Sequence, residues 1–248
     1  MASTFAAAAR PREAAERRFY RGMAWLIAAL MFVGFAPSWF LRGIVPAPRP
    51  LAPFDAAVVA HGLLCTMWIA IFWAQTQLVS AGRRDLHIRL GVAGLIVAML
   101  MVPFMYVTMI HLPQRLTQPP GVSAYGWMAL PMGAILSYTP LAALGFALRR
   151  DGQAHKRLML SATLVFMGPA MGRIPLGPPS PLMFTVNQAI SLLPFALLFW
   201  WDCHSRGRLH WASVLGAALA TAGLAFGIGL MASPAWIAIA RQLPGVTA

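Results

Sequence analysis

Ionisable side chains are costly in hydrocarbon, so in a strongly apolar chain those that interrupt the apolar runs are the first candidates for chemistry. His61 lies one to two turns into the second such run, and Cys65 follows four residues later on the same helix face. His111 closes the third run and Arg173 the fifth. Two histidines on neighbouring helices at similar depth, with an arginine to neutralise a propionate, are what a b-type haem requires. His61, His111 and Arg173 therefore form one candidate haem site, and His87 with His155 a second toward the opposite face. Copper is an alternative at His61 and Cys65, with the Met105 and Met109 thioethers nearby in sequence depth. A quinone, lipid or small solute held by Arg173 is a third, with Thr108, Ser137, Tyr138, Asn187 and Gln188 as polar lining. Each competes with a plainer reading. Most of the 15 methionines fill gaps between helices, histidines in charged turns face water or lipid phosphate, and the chain then holds no cofactor at all.

The elements that must position these residues are visible in composition. Of 248 residues, 59% are hydrophobic and 10% charged, a contrast that points to a bilayer rather than water as solvent. Apolar runs at 20–41, 54–80, 90–111, 125–148, 156–174, 182–201 and 211–232 predict an all-α membrane protein with seven transmembrane helices. The expected division is a basic cytoplasmic segment at 1–19, a seven-helix domain at 20–240 and a short periplasmic tail at 241–248. A net charge of +13 raises nucleic-acid binding, but the basic residues alternate with the spans instead of forming one patch. Fourteen of the 19 Lys and Arg fall on one side, in groups around Arg17, Arg84, Arg150 and Arg206. The positive-inside rule makes that side cytoplasmic, N-terminus in and C-terminus out. These Arg-rich turns suit anionic lipid, and nucleic acid is not an expected partner. Cys65 and Cys203 fall on opposite sides of this topology, too far apart to pair.

Three cytoplasmic turns resemble one another: RRDLHIRL from Arg83, RRDGQAHKRL from Arg149 and RGRLHW ending at Trp211. Each sets a histidine (His87, His155, His210) at the start of an outgoing helix. One leading helix followed by three helical hairpins is the expected architecture.

The stretch HGLLCTMWIAIFWAQTQLVSAGRRDLHIRLG, with HKRLMLSATLVFMGPAMGRI further on, resembles a group of uncharacterised bacterial inner-membrane proteins with an HG…HxRLG…H[KR]RxM…R pattern. That group is distantly similar to histidine-bearing membrane proteins of oxidase assembly. The resemblance covers the second to fifth spans and implies importance for His61, His87, His155 and Arg173, a bacterial inner-membrane location and no particular enzyme activity. GxSxG, HExxH, P-loop and CxxC motifs are absent, so whether the chain is an enzyme stays open. The leading expectation is a redox-type ligand in an outer-leaflet His/Arg site. A non-catalytic subunit bound to other membrane proteins and a small-solute transporter are the alternatives.

Overall fold

The structure is a computed structural model that describes residues 2–47, 51–115, 122–178 and 180–246. Parts of three Pro-rich loops and the end of the expected periplasmic tail lie outside the described residues. Twelve α-helices follow in order: α1 (Ala2–Phe35), α2 (Ala56–Ser80), α3 (Arg84–Ile110), α4 (Leu112–Arg115), α5 (Ala124–Trp127), α6 (Ala129–Ala147), α7 (Gly152–Leu164), α8 (Met167–Met171), α9 (Pro181–Ile190), α10 (Leu193–Arg206), α11 (Trp211–Leu230) and α12 (Pro234–Arg241). A π-helical turn, Ala36–Phe40, extends α1. Among the described residues there is no strand.

Among the described residues, six helical stretches are long and apolar enough to cross a membrane: Arg12–Phe40, Ala56–Ser80, Arg84–Ile110, Ala124–Ala147, Pro181–Arg206 and Trp211–Leu230. The chain is a multi-pass membrane protein. Its outward faces are correspondingly apolar, as on α3, where Ile88, Val92, Ile96 and Met99 are all at least half exposed. In water such a patch would drive aggregation, whereas lipid covers it without cost.

The fifth expected span, 156–174, is not among these six. It is split into α7 and α8 by a turn at Val165 and Phe166, and Pro169 explains the break. Its ring clashes with the carbonyl four residues earlier, that of Val165, and it has no N–H to donate there. This segment is also the interior of the bundle: Leu158, Leu160, Ser161, Ala162, Thr163 and Met167 are fully buried. Surrounded by protein, it carries Lys156 and Arg157 and needs no lipid-facing surface.

Contacts with α1 show how far this broken helix runs. At its start Lys156 pairs with Glu16 of α1, and at its end Ala170 packs against Gly34, where a Cβ would collide with the Ala170 carbonyl. Elsewhere small residues set the spacing. Gly133 and Ser137 of α6 meet Gly223 of α11 so closely that neither glycine has room for a side chain, and the Ser137 hydroxyl donates to the Leu219 carbonyl at 2.7 Å. Close backbone approach of this kind replaces the hydrophobic driving force that lipid removes.

Two of the three arginine-rich turns are capped by side chains, at Asp151 and at His210. Asp151 accepts from the Gln153 and Ala154 amides, and these bonds, Ala154 first, hold its carboxyl below the usual carboxylate value. Arg157 and Asp202, both completely buried, form an ion pair between α7 and α10, and the other Asp202 oxygen accepts from the His210 amide at 3.0 Å. Gln153 ties Arg157 to Arg206 through its side-chain oxygen. One polar knot thus joins α7, α10 and the start of α11.

Candidate functional site

A cavity of about 410 Å³ lies between α1, the π turn, α2 and α8. From α1 it takes Trp25, Met31, Phe32 and Phe35, and from α8 and the turn before it Pro169 and Phe166. Trp39 and Phe40 of the π turn close one end beside His61, Cys65 and Thr66 of α2, while Trp73 lies at the other. His61 and Trp73 are twelve residues apart on one helix, so the cavity follows α2 for about 18 Å. Trp25, Phe32 and Phe40 are substantially exposed on the outer surface of the bundle, so the cavity opens sideways between α1 and α2, toward lipid.

The π turn builds the polar end. Its wider winding, begun at Pro37, swings Trp39 across α2, where the indole lies against Gly62 in the space a Cβ would fill. The Trp39 Nε1–H donates to the Thr66 hydroxyl at 3.1 Å, and that hydroxyl donates to the Gly62 carbonyl at 2.8 Å. π-helical turns recur at functional sites because they re-aim side chains in this way. Next to this anchor the His61 ring sits over Cys65, with Nε2 3.5 Å from Sγ. Arg173 stands over Phe35 at 4.4 Å and donates to the Pro169 carbonyl, both of them lining residues, and its charge bears on His61 and Cys65.

The structure therefore brings His61, Cys65 and Arg173 to one place. It leaves His111 elsewhere: His111 caps α3 and is not part of the cavity wall. Met105 and Met109 are buried in the packing between helices, and Met109 belongs to a separate apolar cluster with Trp236 of α12. Thr108 turns back to donate to the Phe104 carbonyl within α3, and Ser137 serves the α6–α11 contact. Tyr138 is buried behind the cavity, against Trp68 and Phe166. Asn187 and Gln188 support the broken segment, donating to the Ile174 and Gly168 carbonyls. Among the described residues no three His, Cys, Asp or Glu side chains gather as a metal cluster.

The second histidine pair does come together. His87 and His155 place their ring centres 6.2 Å apart at nearly perpendicular planes, His155 Nδ1 lies 2.7 Å from the Gly145 carbonyl, and Gln75 donates to the His87 carbonyl at 3.0 Å. Two features escaped sequence reasoning altogether. The Arg157–Asp202 pair joins residues 45 positions apart with no pattern linking them, and Trp39 reads from sequence as an ordinary interfacial aromatic. Its only signal is the proline two residues before it.

Comparison of the chain with protein families, with curated proteins and with solved structures finds no match.

Proposed function

We propose that this is a seven-span bacterial inner-membrane protein, N-terminus in and C-terminus out, that binds a membrane quinone in the cavity between α1 and α2. The observation that carries this reading is the shape and polarity of the cavity: long, aromatic, open toward lipid, with His61, Cys65 and Thr66 together at one end. A quinone has the same asymmetry, a flat head with two carbonyl acceptors on a long apolar tail. Its volume lies within the range of small-molecule sites, which pair apolar walls with a few placed polar groups. A neutral imidazole at His61 has one N–H to give a carbonyl, and Arg173 lies at that end to serve the same head. The tail then follows the aromatic wall toward Trp25 and Trp73, entering from the bilayer rather than from water.

Seven crossings follow from counting α7 and α8 as one broken span. Its contacts with Glu16 and with Gly34 lie 18 residues apart along α1, about 27 Å at 1.5 Å per residue, close to the thickness of the hydrocarbon core. Charged turns at Arg83, Arg149 and Arg206 then share the cytoplasmic face.

Trp25, Trp39 and Trp73 line the cavity and make a built-in probe. Titrating the detergent-solubilised protein with a short-tailed quinone is expected to quench tryptophan emission saturably. His61→Leu is expected to weaken binding about tenfold, the loss of one hydrogen bond in an apolar site. Unsaturable quenching, or equal protection of the site by phospholipid alone, would count against a quinone.

A further inference from the structure

The histidine pair at the opposite face has a geometry of its own. His87 and His155 occupy equivalent places in two similar turns, and α3 and α7, each packed against α6, bring their rings to 6.2 Å between centres. His155 Nδ1 lies 2.7 Å from the Gly145 carbonyl, an acceptor only, so Nδ1 carries a proton, and in the neutral imidazole Nε2 then keeps its lone pair. Orienting a ligand imidazole through its other nitrogen is the usual support for a metal-binding histidine. Beside it, His87 Nδ1 is buried with no hydrogen-bond partner, and so is Gln75 Oε1, whose amide nitrogen is fixed on the His87 carbonyl. A buried ring nitrogen and a buried amide oxygen left without partners are costly unless something meets them.

We infer that His87 and His155 bind a single late first-row transition-metal ion, with Gln75 Oε1 completing the set. With metal–nitrogen bonds of about 2.0 Å, an ion held between two opposed imidazoles sets the ring centres roughly 6 Å apart, so the pair is spaced for the ion with little rearrangement. Imidazole nitrogen suits copper and zinc in particular. The ligand set is neutral and the Arg84 charge bears on His87, so monovalent copper, which needs only the two imidazoles, is expected to bind more tightly than zinc. This site is separate from the quinone cavity, and neither proposal depends on the other.

The test uses the full chain in detergent with its affinity tag removed. Competition against a chromophoric chelator measures Cu(I) and Zn(II) uptake. The expected result is about one equivalent of ion, with affinity lowered at least tenfold in both His87→Ala and His155→Ala and unchanged in His61→Leu. X-ray absorption of the copper-loaded protein should show nitrogen neighbours at about 2 Å. Thermal melting of both variants without metal checks that they fold. If either is unfolded, His87→Gln and His155→Gln replace it, and the same loss of affinity is expected. Uptake of neither ion, uptake untouched by both substitutions, or a haem absorption band lost with them would overturn the inference.

Discussion

At the scale of single residues, the buried Arg157–Asp202 pair is the most consequential contact that does not touch a candidate ligand. Removing one partner strands the other charge in the interior, at a cost of about 3–5 kcal/mol. Asp202→Ala should therefore lower the melting temperature in detergent strongly, whereas the exposed Asp85→Ala should change it little. His210, beside this pair, gives a pH dependence. Burial and then the Arg157 charge hold its imidazole below the ordinary value of 6.5, and its neutral Nδ1 accepts from the Ala212 amide. The unfolded chain takes up a proton before the folded one does, so this contribution is complete above about pH 6.5 and lost as pH falls below it. His210→Asn keeps a capping side chain without the titration. The stability difference between wild type and His210→Asn should thus shift against wild type on acidification, and a constant difference from pH 8 to pH 5 would refute this account. His61 and Cys65 were legible in the sequence because four-residue spacing on a helix is a local fact. Arg157 and Asp202 were not, since their meeting depends on how α7 and α10 pack.

At the scale of elements, hydropathy found the spans but not their places. The six stretches long and apolar enough to cross a membrane follow the apolar runs, with α3 starting at Arg84 rather than at residue 90. The segment at 156–174 reads from sequence as a span and not as the interior of the bundle, because burial by protein and burial by lipid favour the same residues. Its lower hydropathy and its Pro169 were the available signs. Asn187 and Gln188 looked like pocket lining for a related reason: a polar group in a span signals an unmet hydrogen bond, and here the need is that of the broken backbone near Gly168 and Ile174. If α7 and α8 together cross the membrane, alkaline phosphatase fused after Arg241 is active and the same enzyme fused at Asp151 is inactive. An inactive fusion after Arg241 reduces the count to six.

For the whole molecule, the two ends of the bundle differ in kind. One carries the arginine-rich turns, the polar knot and the His87–His155 pair. The other carries the π turn, His61 and Arg173, and between them a lateral cavity leads from the lipid to the His61 end. The charge asymmetry behind this division was plain from sequence, whereas the cavity was not, since it exists only where α1, α2 and α8 fail to close on one another. Quinone occupancy of this cavity is tested most directly by the quinone content of protein purified from membranes, extracted with organic solvent and quantified by chromatography. Wild type is expected to carry about one quinone per chain, and substitution of Ala28, an α1 residue that also lines the cavity, by the bulky side chain in Ala28→Phe is expected to leave less than about a tenth of that. Equal quinone in the two proteins, or none above a detergent blank in either, would contradict it.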